Sequence, residues 1–319
     1  YASIPSIMCG QNYSVENMNK EEHKNIRNKI TEASEQFYKK VKKRGYYFTS
    51  SSHCYSNVDY SKFDNYLPDW HSSWTYKLEL KRPSEMWYTR LWENALFSCV
   101  PLSLKPLIYN NRKWLLSSQT DLNSNEFHKY NFQRILPIIS DNKSSDENFI
   151  YIHSLFTHPP WDILDNNNNL IRFASPYENF KWFVTVFNKW ITWMKKNNVY
   201  DNTKIILVSD HGVGWGLYNG KIQANVPVNW KENKAICPKI FLHLNSLMMV
   251  KDFDSKGPLK KDWRLMSSAD ASAIAFNEND PTKSDSTSRT VKAYITNWIK
   301  DIDDVNTYEI SNEYEVSNN

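Results

Sequence analysis

Apolar positions along this chain follow two rhythms, a helical spacing and short continuous runs, and their alternation predicts an α/β fold. Between Asn19 and Lys43, Ile26, Ile30, Phe37 and Val41 recur at helical spacing among charged residues, which predicts an amphipathic helix packed on a sheet. Gly45 stops it, and Tyr46-Tyr47-Phe48-Thr49 follows as a strand. From Ser50 to about Leu136 the pattern weakens into Ser, Asn, Asp, Trp and Tyr, so this stretch reads as an insertion or cap over the sheet edge, with a helical fragment from Trp87 to Phe97. Asn148-Phe149-Ile150-Tyr151-Ile152-His153 predicts a second strand with a histidine at its tip, followed by Thr157-His158-Pro159-Pro160-Trp161. After a polar loop from Asp165 to Asn169, the residues Phe180, Phe183, Val184, Phe187, Ile191 and Met194 mark a helix with one apolar stripe that ends at Asn197-Asn198. The turn Tyr200-Asp201-Asn202-Thr203 leads into the run Ile205-Ile206-Leu207-Val208. Strand, helix and parallel strand make a crossover unit, which would set His153 and Asp210 on the same edge of one sheet. After the Asp-His tip, Pro238 leads into the apolar segments Ile240 to Leu244 and Met248 to Val250, a last helix is expected near Thr290 to Ile302, and the tail from Asp303 to Asn319 is expected to fray.

The run at Ile205 carries the most chemistry. Its apolar residues, bounded by Lys204 and Ser209, read as a strand buried on both faces, and it ends abruptly in Asp210-His211-Gly212. In open α/β sheets, ligands collect at the carboxyl ends of such strands. A carboxylate beside an imidazole there suits Zn²⁺ or Mn²⁺ better than an all-oxygen Ca²⁺ cage. Asp also caps turns and a half-buried His needs no ligand, so the pair alone does not decide the matter.

Composition narrows the class without naming the chemistry. The 319 residues, 40% hydrophobic and 23% charged, are enough for one large α/β domain, which is the organisation expected here. Aromatic residues make up 15%, including 13 Trp and 19 Tyr, which suggests amphipathic surfaces or a groove that stacks on a ligand. The net charge of +4 is modest, and the one basic cluster, Lys39-Lys40 with Lys42-Lys43-Arg44, reads as a solvated helix end, so nucleic acid is not an expected partner. Cys9, Cys54, Cys99 and Cys237 show no C-x-x-C spacing, which excludes a zinc knuckle or a thioredoxin-type motif and leaves a disulfide open. No apolar run is long enough to cross a bilayer, and the segment Tyr1 to Gly10 reads as the inside of a domain.

Three pieces then fall into an order: the Ser-rich turn Ser3-Ile4-Pro5-Ser6 through Gly10, the pair His153 and His158, and Asp210-His211. In this order the chain resembles the alkaline phosphatase and sulfatase superfamily, nearest its branch of phosphoethanolamine transferases and lipoteichoic acid synthases. The run from Tyr200 to Gly212 is similar to that branch's strand-and-metal motif, and His153-x-x-x-x-His158-Pro159 looks like its substrate-facing histidines. Leu247-Met248-Met249-Val250-Lys251-Asp252-Phe253 with Ala269-Asp270 is similar to the closing segments of bacterial sulfatase-like proteins.

The resemblance implies an alkaline phosphatase-like sandwich, with a largely parallel central sheet and helices on both faces. It implies one divalent metal held by Asp210 and His211, with His158 and His153 toward the transferred phosphoryl or sulfuryl group as hydrogen-bond donors or acids. The substrate would be a phosphate or sulfate ester, with a lipid or glycan as its carrier, at the extracytoplasmic face of a membrane reached through a region upstream. By the family's spacing the nucleophile falls just before Tyr1, with the first strand of the fold and its acidic ligand further upstream; Ser3 or Ser6 are the stand-ins inside the chain. The segment from Gly214 to Gly220 offers Asn219 and no histidine near the place where phosphoethanolamine transferases carry a further one. Two other readings stay open. A true sulfatase would show Pro-Ser-Arg after its nucleophile and an oxygen-only calcium site, and a non-catalytic relative would bind glycan or lipid head groups through the Trp and Tyr surface.

Overall fold

The computed structural model describes residues 3–51, 56–67, 84–110, 113–115, 136, 147–154, 157, 161, 163–166, 170–171, 174–212, 244–283, 289–296, 299 and 301–317. It opens with three helices, α1 (Ser3–Cys9), α2 (Val15–Asn19) and α3 (Ile26–Lys43). The helix expected from Asn19 therefore starts later, at Ile26. Asn25 turns its side chain onto the Asn28 N–H at 2.9 Å and starts α3 there, since an Asn that caps a helix leaves the preceding residues outside it. The expected stripe is buried: Ile26, Ile30, Phe37 and Val41 all face the core, with Ala33 buried beside them. Lys40, Lys42 and Lys43 occupy the last turn, where cations suit the carbonyl end, and Gly45 takes a φ of +82° to release the chain into the sheet.

Strand β1 (Tyr47–Ser51) runs parallel to β2 (Asn65–Leu67) on one side. On its other side it runs parallel to a later strand at Asn148–Tyr151, giving a three-stranded sheet with β1 in the middle. That central place explains why Phe48, Thr49, Ser50 and Ser51 are all buried. Asp64 pins the register from outside, accepting the Phe48 N–H at 2.8 Å and Lys42 Nζ at 2.7 Å. The stretch read as a cap thus gives β2 to the parallel sheet, and it also forms α4 (Ser84–Cys99), α5 (Lys105–Ile108) and the short ladder of β3 (Tyr109–Asn110) with β4 (Lys113–Trp114).

Beyond β5 (Asn148–Tyr151) come the small pair β6 (Ile163–Leu164) and β7 (Leu170–Ile171) and the long helix α6 (Pro176–Lys196). Ser175 and Glu178 close a reciprocal capping box at the start of α6, with Pro176 in its first turn. Next, β8 (Ile205–Val208) pairs antiparallel with β9 (Met248–Lys251), from Ile205 opposite Lys251 to Val208 opposite Met248. Among the described residues the parallel crossover from β5 to β8 is not formed as a ladder, and the ladder partner of β8 is the non-local strand β9.

Helix α7 (Asp270–Phe276) ends in Asn277 at a φ of +54°. The helix expected near Thr290 is a strand, β10 (Thr290–Thr296), paired antiparallel with β11 (Ile310–Ser317), which is the tail expected to fray. Thr290, Val291, Ile295 and Thr296 are β-branched, and a cross-strand ion pair of Lys292 with Glu313 at 2.9 Å helps hold the ladder, so pairing overrides the helix-like spacing.

Two apolar cores result among the described residues. In the first, the Phe37 ring meets Phe48, Phe149, Tyr151 and Phe276 at 5.8, 5.6, 5.5 and 6.2 Å, so α3 and α7 are packed on β1 and β5 through edge-on aromatic contacts. Ile206, Val208 and Met248 bring β8 and β9 onto the same core. The second joins Val15, Met18, Ile26 and Ile30 to Ile299, Ile302 and Tyr308. A two-pronged ion pair links these regions: Arg289, beside β10, donates to both Asp270 carboxylate oxygens at 2.8 and 2.6 Å, and the Ser267 N–H adds a third bond at 2.7 Å.

Candidate functional site

Anchors at the lower end of β8 set the position of its tip. Lys204 Nζ donates to the Ile274 carbonyl at 2.6 Å and to Asn277 Oδ1 at 2.9 Å, tying the start of the strand to the end of α7. Lys251, opposite Ile205, donates to the carbonyls of Tyr200, Asp201 and Thr203 and lies 4.4 Å over the Tyr200 ring. Desolvation holds its ammonium below the usual lysine range against the raising effect of Asp201, Asp254 and Asp252. The polar stretch Tyr200–Lys204 of the Tyr200–Gly212 run is thus structural scaffolding for the strand that follows.

At the upper end, Ser209 closes the ladder twice, its N–H donating to the Leu247 carbonyl at 2.9 Å and its Oγ accepting the Leu247 N–H at 2.7 Å. Beyond it Asp210 Oδ1 accepts the His211 N–H at 3.0 Å. His211 Nδ1 lies 2.6 Å from the Gly212 carbonyl. A carbonyl oxygen only accepts, so Nδ1 carries the proton and, in the neutral ring, Nε2 keeps its lone pair. That Nε2 sits 3.6 Å from Asp210 Oδ2, with 37% of the His211 side chain and 45% of the Asp210 side chain exposed. Two ligands bound tetrahedrally at typical zinc distances stand about 3.4 Å apart. A metal-bound histidine also usually gives its other N–H to a carbonyl or carboxylate, the role that Gly212 fills here. Among the described residues, no group of three or more His, Cys, Asp or Glu is gathered in one place.

The other expected site residues fall in different places. His153 follows β5, and its N–H donates to Ser51 Oγ at 2.7 Å, so the carboxyl ends of β1 and β5 are stitched together by a buried hydroxyl. Tyr151 and Val208, two residues before His153 and Asp210, pack on the same aromatic core, although their strands share no ladder. His158 lies outside the described residues, as does Asn219. Ser3 is the first residue of α1, so the segment expected as a Ser-rich turn is a helix, with Ile4, Pro5, Ile7 and Met8 buried. A proline in the first turn of a helix costs no hydrogen bond, which is how Pro5 fits there. Ser6 donates to the Tyr13 carbonyl at 2.8 Å, a bond that fastens the end of α1 to the following turn. Ser51 belongs to none of the motifs in the sequence. The signal for it was Ser50-Ser51 ending a strand with buried neighbours, where a hydroxyl needs a partner.

Comparison of the chain with protein-family models, with curated proteins and with solved structures finds no match.

Proposed function

We propose that this chain belongs to a metal-dependent hydrolase or transferase of phosphate or sulfate esters, acting at the cell envelope, with an architecture of the alkaline phosphatase kind. The observation that carries the reading is the tip of β8: Asp210 Oδ2 and His211 Nε2 side by side at 3.6 Å, with Nδ1 held by the Gly212 carbonyl. This donor set fits a divalent ion. A carboxylate oxygen next to an imidazole nitrogen favours Zn²⁺ or Mn²⁺ over Ca²⁺, which also ranks this reading above a calcium-dependent sulfatase. Such an ion supplies Lewis-acid polarisation of the ester oxygens and lowers the pKa of a bound hydroxyl.

The chain's own residues have simpler tasks. Asp210 and His211 hold the cation, Gly212 fixes the tautomer, and the anchors at Lys204 and Lys251 keep the strand from sliding. His153, fixed through its backbone by Ser51, is assigned to the ester oxygens, together with His158.

The test uses the natural gene product containing this chain, supplied with Mn²⁺ or Zn²⁺ and assayed on aryl phosphodiester, phosphomonoester and sulfate ester probes. At least one probe should turn over, with loss of about 100-fold or more in Asp210→Asn. Full activity in Asp210→Asn contradicts the proposal. Absence of turnover on all probes, with retained glycan or head-group binding in Asp210→Asn, assigns the chain to a binding module instead.

A further inference from the structure

Between β9 and α7 the chain runs from Asp252 to Ala269 without a helix or a strand. A structureless connection of more than about 15 residues is uncommon in a compact domain and usually serves a function. Its exposed part is held at both ends. At the first, the Asp254 N–H donates to the Asp201 carbonyl at 2.8 Å, with Asp254 at a φ of +50°. At the second, Arg264 Nη1 donates to the Pro281 and Thr282 carbonyls at 3.0 and 2.6 Å. Every residue from Phe253 to Trp263 is exposed, and Leu259 and Trp263 reach 80% and 82%. Gly257, at a φ of +104°, and Pro258 turn the chain just before Leu259.

The charges of this loop select its partner. Its acids are matched within the chain: Asp252 lies 3.7 Å from Lys204 Nζ, Asp254 acts on Lys251, and Asp262 accepts Arg264 Nε at 2.9 Å. Lys256, Lys260 and Lys261 are exposed, and among the described residues no carboxylate pairs with them. Leu259 to Trp263 is four peptide steps, at most about 14 Å, so the apolar side chains and the Lys260-Lys261 pair share one patch of surface. A soluble acidic partner would engage the lysines alone. The uncovered leucine and tryptophan add the insertion that a headgroup region stabilises, and each lysine near an anionic bilayer is worth roughly fivefold in partitioning. We propose that the Phe253–Trp263 loop docks on an anionic lipid surface, with Leu259 and Trp263 entering the headgroup region and Lys256, Lys260 and Lys261 meeting the phosphates. The loop leaves β9 at Lys251, opposite Ile205 and away from the tip of β8, so the inference stands apart from the metal reading.

The experiment is co-sedimentation of the full 319-residue chain with vesicles of phosphatidylcholine alone and of an equal mixture of phosphatidylcholine and phosphatidylglycerol. The wild-type chain should bind the mixed vesicles, and less so as salt is raised. The triple variant Lys256→Gln/Lys260→Gln/Lys261→Gln should weaken that binding by at least about 20-fold. Leu259→Ser/Trp263→Ser should weaken it by at least about tenfold and keep the preference for the anionic vesicles. Lys39→Gln/Lys43→Gln, which removes two exposed charges elsewhere, should bind as the wild type does. All the substituted loop residues are exposed, so circular dichroism should be unchanged; should the triple variant differ, Lys260→Glu alone should weaken binding by at least about fivefold. Wild-type protein that stays in solution with both vesicles overturns the proposal, as does triple-variant binding equal to wild type or an equal loss in Lys39→Gln/Lys43→Gln. Retention on heparin that the triple variant loses, with no vesicle binding, overturns it in favour of a soluble acidic partner.

Discussion

Individual polar atoms in this protein are placed by what surrounds them, and Cys9 and His211 show opposite outcomes. Cys9 donates its Sγ–H to the Ala33 carbonyl at 3.0 Å within the first core. Desolvation pushes its pKa up to about 12, against the lowering effects of Lys40 and of a backbone bond from Phe37. A thiol held protonated is a poor nucleophile, so iodoacetamide at mildly alkaline pH should label Cys9 only after unfolding, while the exposed Cys99 reacts in the native protein. Peptide mass mapping reads both sites, and equal rates at the two would contradict the burial argument. The linkage has a definite sign. Since the unfolded thiol ionises first, stability falls as pH rises from the ordinary thiol range toward about 12. His211 is the reverse case: its ring reaches solvent, and one backbone carbonyl selects which nitrogen presents a lone pair. The adjacency of Asp210 and His211 is legible in the sequence. The tautomer is not, because it depends on how the Gly212 peptide turns.

At the scale of elements, periodic burial was the legible part and the ends were not. The stripe Ile26, Ile30, Phe37 and Val41 is on the buried face of α3, but the start of that helix is decided by one side-chain bond from Asn25. The same logic governs α6, where Ser175 Oγ accepts the Glu178 N–H at 3.2 Å and Glu178 returns a bond to the Ser175 N–H at 2.8 Å. Ser175→Ala removes the first of these and should lower stability by about 1 kcal/mol, measured by urea unfolding followed by circular dichroism. No change in the midpoint would mean that packing of α6 alone fixes its start. The segment from Thr290 shows where periodicity misleads. Val291, Tyr294, Ile295 and Ile299 are spaced as on a helix, yet β-branched residues and a strand partner in the tail decide in favour of β10.

For the whole molecule, the parallel strands β2, β1 and β5, the helices packed on them and the aromatic core establish a mixed α/β fold, the class that alternating rhythms in the sequence predict. What could not be read locally is partner choice. One edge of β8 is paired with β9, forty residues further on, through the Ile205 to Val208 register and the Ser209–Leu247 closure. Sequence patterns encode which residues face a core but only weakly which strands meet, so His153 and Asp210 are carried by separate ladders that share one core. The candidate site was legible where it is contiguous, at Asp210-His211, and not where it depends on tertiary contact, as at Ser51.

The most direct test of the central claim is calorimetric titration of Mn²⁺ and of Zn²⁺ into the purified chain and into Asp210→Ala and His211→Ala. A single site that loses at least about tenfold in affinity in each variant, with the circular dichroism unchanged, is the predicted result. Equal metal affinity in all three proteins, or no binding by the wild type, would contradict the assignment of the β8 tip as a metal site.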